Sequence, residues 1–241
     1  MESKVRSVIV KDCQALELAL DFNDSFEDLE VLVGKGASLA LRIYNFGSAS
    51  NKKITANIEE NGEISAVMAD FSSGQSMLEA RINLNGINAR GTWKLSSLAS
   101  GDDDKKFNVY FLHNAPQTDG LMTNYGVARN SSRLIFSGAN SIIRGAKKSK
   151  TRQNAKIIVF DEGATAKADP RLSISENEVE ASHAAIVGKL NDEHLFYLMS
   201  RGLNLNEAKK LITYGYLMPI ASYFKEDVLQ TKIAQMIEER L

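Results

Sequence analysis

Apolar residues recur at every second position from residue 5 to about residue 190, and this period restricts the chain more than any other feature. Leu16, Leu18, Leu20 and Phe22 alternate with other residues, as do Leu29, Val31 and Val33, Leu39, Leu41 and Ile43, and Ile54, Ala56 and Ile58. The pattern continues through Leu78, Ala80, Ile82 and Leu84, Phe107, Val109 and Phe111, Ile157 and Val159, and Leu172 and Ile174. Alternation of this kind sends one face of a strand into a core and the other into solvent. Turn-forming residues separate the runs, among them Gly34 and Gly36, Asn61-Gly62, Ser73-Gly74, Asn85-Gly86 and Gly101-Asp102. Strand centres fall roughly every 10 to 15 residues, a spacing that fits an all-β sandwich, a barrel or a solenoid, and periodicity does not choose among them. There is no exact internal repeat, so a solenoid here has no residue code for each rung.

At Asn191 the period changes. Asn191 suits a helix N-cap, followed by Asp192 and Glu193 in the first turn and by Leu195, Phe196, Leu198 and Met199, with a stop before Gly202. Asn204 with Glu207 three residues on reads as a capping box, opening a second helix with an apolar stripe of Ala208, Leu211 and Ile212 up to Gly215. A third helix is expected from near Pro219 to Leu241. The chain therefore divides into a β core over residues 1–190 and a helical subdomain over 191–241.

Composition narrows the function classes. Twenty-nine Lys and Arg against thirty Asp and Glu leave a net charge of −1, which gives no field to gather nucleic acid or an anionic membrane. No apolar run is long enough to span a bilayer and no signal-type segment opens the sequence, so a cytoplasmic protein is expected. Cys13 is the only cysteine. An iron–sulfur or structural zinc site ordinarily draws on several thiolates, so a stable cluster on the isolated chain is not expected.

Between Phe136 and Tyr216 a series of segments resembles the core of the SufB/SufD family of iron–sulfur cluster assembly proteins. They are Phe136-Ser-Gly, Thr151-Arg-Gln-Asn before Ile157-Ile-Val, Asp169-Pro-Arg-Leu172-Ser-Ile174, Val179-Glu-Ala-Ser-His183-Ala-Ala-Ile-Val-Gly188, Leu195-Phe-Tyr-Leu-Met-Ser-Arg201-Gly202, Glu207-Ala208 and Tyr214-Gly-Tyr216. His113-Asn-Ala-Pro116-Gln-Thr118 is similar to a further family segment, whereas residues 1–105 match in strand texture alone. The resemblance implies a right-handed parallel β-helix with a C-terminal helical subdomain. It also implies side-by-side pairing of B-type and D-type subunits, with new clusters built at their junction. On this pattern the C-terminal helices carry a SufC-like ABC ATPase. Set against common members the sequence is short, and a counterpart of their N-terminal helical region is not expected in it.

B-type members have a cysteine at the position aligned with Asn154 and a glutamate aligned with Ala184; neither residue present is a good iron ligand. The D-type pattern fits better, with its ligand set thinned to His183, a tentative metal ligand shared with a partner subunit. Ala181 stands where D-type members often have a cysteine. His183 shares parity with Val179, Ala181, Ala185 and Val187, which would equally make it a core histidine. The docking surface implied for the ATPase comprises Leu195, Phe196, Tyr197, Leu198, Met199, Arg201, Gly202, Ala208, Tyr214 and Tyr216. The first helix carries apolar residues over more of its girth than one core-facing stripe requires.

Other features have plainer readings. Cys13 reads as a small buried hydrophobe. Arg144, Lys147, Lys148, Lys150, Arg152 and Lys156 read as a solvated turn with exposed strand positions, and Asp102-Asp-Asp104 with Lys105-Lys106 as a charged loop. No phosphate-cradling glycine motif, HExxH or GxSxG occurs. The leading reading is a non-catalytic scaffold subunit of a SufBCD-type complex, pairing with a SufB-like subunit or with itself and hosting at most a transient cluster between subunits. A β-solenoid enzyme acting on carbohydrate and a self-associating structural protein are the alternatives.

Overall fold

The computed structural model describes residues 4–241. The described residues form two seven-stranded sheets. One holds β1 (Val5–Val10), β3 (Asp28–Val33), β5 (Ser50–Ile58), β7 (Gln75–Leu84), β9 (Asp104–His113), β11 (Arg133–Ile142) and β13 (Thr165–Ile174), in that order. The other holds β2 (Ala15–Asp21), β4 (Ser38–Asn45), β6 (Glu63–Asp70), β8 (Arg90–Ala99), β10 (Asp119–Ala128), β12 (Lys150–Val159) and β14 (Glu180–Lys189). All neighbouring strands run parallel. Each rung is one strand of the odd sheet, a tight turn, and one strand of the even sheet; the core is a β-solenoid.

A repeat does exist, carried by the backbone rather than by residue identity. Each of the first six turns from an odd to an even strand holds a residue in the left-handed region: Cys13, Gly36, Asn61, Asn88, Gln117 and Lys148. These residues form a ladder. The Cys13 N–H donates to the Lys35 carbonyl, Gly36 to Glu60, Asn61 to Ile87, Asn88 to Pro116, Gln117 to Lys147 and Lys148 to Glu178, at 2.6–3.2 Å. Successive members are 23, 25, 27, 29 and 31 residues apart. An increment of two preserves the inward–outward alternation, whereas an increment of one would turn every later side chain to the wrong face. The rungs thus lengthen steadily, the strands growing from 6 and 7 residues in the first rung to 10 in the fourth and the connecting turns taking up the growth after that. Glycine and asparagine tolerate the left-handed conformation, but Cys, Gln and Lys occupy the same position, which hides the repeat. Cys13 is accordingly exposed on a turn, not the buried hydrophobe expected.

Inward strand residues of the narrow rungs are mostly aliphatic, such as Leu29, Val31, Val33, Leu39, Leu41 and Ile43, with Phe22 and Phe26 packed edge to face beyond the end of β2. The wider rungs accommodate Trp93, Phe107, Phe111 and Phe136. Room for the rings comes partly from Gly120, where a Cβ would lie 2.9 Å from His113 Nε2 and 3.0 Å from the Phe111 ring. Here the interior also turns polar. Trp93 Nε1 donates to Asn124 Oδ1 at 3.1 Å, and Asn140 Nδ2 donates to Thr151 Oγ1 at 2.7 Å.

The segment expected to be a charged loop is partly interior. Asp103 and Lys105 are buried, with Lys105 Nζ 2.5 Å from Asp70 Oδ1 and 2.8 Å from the Ser72 carbonyl. Lys105 begins the inward series of β9 that continues with Phe107, so strand parity draws it inside, and Asp70 on β6 meets its charge.

Three α-helices follow: α1 (Asp192–Ser200), α2 (Leu205–Leu217) and α3 (Asp227–Glu239). Both expected caps form: Asn191 Oδ1 accepts from the Glu193 N–H at 2.7 Å, and Asn204 with Glu207 makes a reciprocal capping box. Helix α2 runs through Gly215 to Leu217, so Tyr214-Gly-Tyr216 is helical. The expected third helix is split into a 3-10 segment, Met218–Tyr223, and α3, because Pro219 is accommodated at the start of a tight 3-10 turn. A second core lies between the tail and the outer face of the even sheet. It packs Leu217, Ile220, Phe224, Ile233 and Ile237 against Val67, Phe71, Leu98, Val127 and Ile158. Polar contacts fasten the tail along the solenoid: Arg42 Nε donates to the Tyr223 carbonyl at 2.8 Å, Lys225 pairs with Glu17, and Arg240 pairs with Asp103.

Candidate functional site

The wide end of the solenoid is open. Strands β13 and β14 are the last of their sheets, and among the described residues no further rung covers them. In β12 the residues Thr151, Gln153, Ala155 and Ile157 are buried, and their register partners in β14 are Ala181, His183, Ala185 and Val187. The inward parity of His183 is thus as the sequence indicates, yet His183 is exposed, because the rung that would bury it does not exist. It is not a core histidine. Asn154 and Ala184 are register neighbours on the outer face of the same two strands. The inner face thus offers His183, and the outer face beside it offers an amide and a methyl group.

His113 has the opposite environment. It lies at the end of β9, fully buried, with Nδ1 2.7 Å from Thr118 Oγ1 and no partner for Nε2. Burial pushes its pKa down to about 4, so it is neutral near pH 7. The buried amide oxygens of Asn140 and Gln153 likewise have no partner, and an interior belt of unmatched acceptors precedes the open end. This belt was not foreseen from the sequence, since Asn140 and Gln153 fall on inward positions of strands whose parity is set by weakly hydrophobic neighbours.

Ligands for a resident cluster are not assembled. Among the described residues, no group of three or more His, Cys, Asp or Glu side chains converges. Cys13 stands on the first rung and His183 on the last, six strand spacings apart in the even sheet, or roughly 29 Å.

The second surface is formed by α1 and α2. No residue of α1 is buried; Phe196 is 75% exposed, Tyr197 56% and Met199 44%. Leu195 and Leu198 are half-buried on the side facing α2, and Arg201 lies over the Tyr197 ring, 5.2 Å from its centroid. Between the helices runs an apolar groove of about 440 Å³ lined by His194, Tyr197, Leu198, Ile212, Gly215 and Tyr216. Tyr216 also packs on Lys156 of the solenoid, 4.6 Å from ring centroid to Nζ. The remaining sequence candidates separate from this face: Ala208 is fully buried, Tyr214 donates its hydroxyl to the Ala234 carbonyl at 3.0 Å on the α3 side, and Gly202 closes α1 with a φ of 96°. Leu205 and Leu211, exposed at 45% and 51%, extend the apolar exposure along α2. Of the basic run read as solvated, Arg144, Lys147, Lys148, Lys150 and Arg152 are exposed, whereas Lys156 is half-buried under Tyr216.

No helix among the described residues is long and apolar enough to cross a membrane. The family model described as "SUF system FeS cluster assembly, SufBD core domain" matches residues 2–216. That span includes the first hundred residues, where the sequence shows only strand texture, and ends within α2. The chain is 28% identical over 221 residues to the iron–sulfur cluster assembly protein SufD of Bacillus subtilis, an alignment covering 88% of this chain and 49% of that protein. It is 26% identical over 194 residues to an iron–sulfur cluster assembly SufBD family protein of Staphylococcus epidermidis, and 25% identical over 194 residues to one of Staphylococcus aureus. Those alignments cover 79% of this chain and 42% of each relative. The chain spans about half the length of the curated relatives it matches, or somewhat less.

Proposed function

The chain belongs to the SufB/SufD family of iron–sulfur cluster assembly proteins, and we propose that it serves there as a D-type, non-catalytic scaffold. In this reading the α1–α2 face docks a SufC-type ATPase. The open last rung pairs with a second solenoid subunit, and His183 at that rim contributes one ligand or one proton relay to a transient cluster completed by the partner. The cluster is cargo, formed and passed on at the junction.

The observation that carries the docking claim is the uncovered α1–α2 face. Phe196, Tyr197 and Met199 are left exposed by the rest of the chain, and aromatic, Met and Arg side chains beside an apolar groove are the residue types found at interface centres. The test is binding of a SufC-type ATPase to the wild-type chain and to Phe196→Glu/Tyr197→Glu, measured by calorimetry. The double variant should bind at least ~10-fold more weakly with an unchanged melting temperature. Undiminished binding would remove α1 from the interface.

A further inference from the structure

The helical tail packs on the even sheet, and the outer face of the odd sheet is left to solvent. On that face β11 lies low. Its outward residues Ser137 and Ala139 are small, whereas β9 and β13 on either side raise Lys106, Tyr110, Lys167 and Arg171, and a trough of about 440 Å³ runs along β11. Strand register divides the trough into three levels, each two residues and so roughly 6.7 Å from the next. At the first level Lys106 and Lys167 stand on either side of Ile135. At the second Asn108 and Asp169 flank Ser137, and at the third Tyr110 and Arg171 flank Ala139. The charges do not balance. Lys106 makes no ion pair among the described residues, and Asp169 alone serves both Lys167, at 3.8 Å, and Arg171, at 2.7 Å. Arg133 at the entrance meets Asp104 at 3.6 Å, and Glu79 nearby is taken up by Arg81 at 2.9 Å. Four cations therefore face two free carboxylates here, in a chain whose net charge is −1.

We propose that this trough is a docking groove for an extended acidic segment of another protein, with carboxylates at positions i and i+4 and a hydrogen-bond donor side chain at i+2. A strand-like segment laid along β11 turns alternate side chains downward at the same spacing as the levels. A carboxylate at the first level comes between the Lys106 and Lys167 ammonium groups. At the second level Asp169 repels a carboxylate but accepts from a hydroxyl or an amide, as does the Asn108 side-chain oxygen. At the third level Arg171 gives Nη2 to Asp169 and keeps its other N–H groups for a second carboxylate, while the Tyr110 ring, with the Arg81 guanidinium 4.9 Å from its centroid, forms the opposite wall. A nucleic-acid strand suits the trough less well, because it carries a charge at every unit and would set one phosphate against Asp169. The groove draws on neither the α1–α2 face nor the wide end, so it stands apart from the functional reading above.

Two heptapeptides of one composition serve as probes: Gly-Glu-Thr-Ser-Thr-Glu-Gly, which has the required spacing, and Gly-Thr-Glu-Glu-Ser-Thr-Gly, which sets its carboxylates side by side. Binding to the full chain is followed by amide chemical shifts at ~50 mM salt, where exposed charges are only partly screened. We expect saturable shifts centred on β9, β11 and β13 with the first peptide, and a dissociation constant about 5-fold higher with the second. Lys106→Glu/Lys167→Glu should weaken the first peptide on the order of 10-fold, and Ser137→Trp, which fills the trough without altering its charge, should do the same. Arg144→Glu/Lys147→Glu makes the same change of charge on the exposed turn after β11 and should shift the constant less than about 2-fold. Equal affinity for the two peptides, or equal losses in the two charge-reversed variants, would make the trough a diffuse positive patch and overturn the proposal. So would the absence of saturable shifts up to ~1 mM peptide. Tighter binding of a short single-stranded RNA to the same strands would overturn the choice of partner. Should Ser137→Trp fail to fold, the wild-type shifts decide, and a centre away from β11 overturns the site.

Discussion

Acid should destabilise this protein through His113 by an amount that can be worked out. The ring is enclosed between β9 and Gly120, and its Nε2 has no partner to accept or share a proton. Burial lowers its pKa to about 4, against about 6.5 in an unfolded chain. The unfolded state therefore takes up a proton as pH falls through about 6.5, and the folded state resists until about 4. The stability due to a neutral His113 is complete above about pH 6.5, declines through the interval, and is gone below about 4. At about 1.4 kcal/mol per tenfold change in proton affinity, the loss between pH 7.5 and 4.5 is roughly 2.5 kcal/mol. A domain of this size holds about 5–15 kcal/mol in all, so the loss is measurable by urea unfolding at each pH. The control is His113→Gln, which starts from a lower stability but lacks the titrating ring. Its decline over the same interval should be smaller than that of the wild type by roughly 2.5 kcal/mol. Parallel declines would mean that the folded protein admits a proton to His113, and the argument from burial would be wrong.

Lys105→Met should lower stability by about 3–5 kcal/mol in urea unfolding, since it strands the fully buried Asp70 carboxylate; adding Asp70→Asn should restore a good part of the loss. His183→Ala should leave the melting temperature unchanged, because the side chain lies on an uncovered rung; cluster formation in the assembled complex should fall if the proposed role is right. Gly215→Ala should stabilise the isolated chain by about 0.5–1 kcal/mol, as the residue is helical and a Cβ there meets nothing within 4 Å. The same change should weaken ATPase docking, because Gly215 floors the apolar groove; a gain in both properties would place the partner elsewhere.

Strands and caps were legible because each depends on local chemistry. The alternation around Leu78–Leu84 and Phe107–Phe111 survives intact as buried inward rows, and Asn191 and Asn204 cap the helices their spacing announced. What escaped the sequence depends on where the stack ends and on what lies beside it. Parity gives the direction in which His183 points but does not say whether another rung lies above it. Leu16 keeps the alternation and is still 39% exposed, because β2 belongs to the first rung. Lys105 looked solvated because its neighbours Asp102 and Lys106 are charged, while its partner Asp70 is thirty-five residues away. For the candidate site, the excess of apolar residues on α1 was visible in composition. The sorting of Ala208 and Tyr214 away from the exposed face required knowing that α3 lies across α2. The steady two-residue growth of the rungs was hidden because six turns use Cys, Gly, Asn, Gln and Lys at one backbone position.

That growth bears on how such a molecule avoids becoming a fibre. A cylinder with equal rungs has matching ends, so the exit edge of one copy can template the entry edge of the next, a head-to-tail contact that never closes. Here a six-residue strand opens the odd sheet and ten-residue strands finish both sheets. A wide end laid on a narrow one would leave about four residues of each strand unpaired and shift apolar rows past one another. Only like ends are commensurate. Among the described residues the two ends therefore do not match, and a head-to-tail stack of this solenoid does not propagate with full pairing.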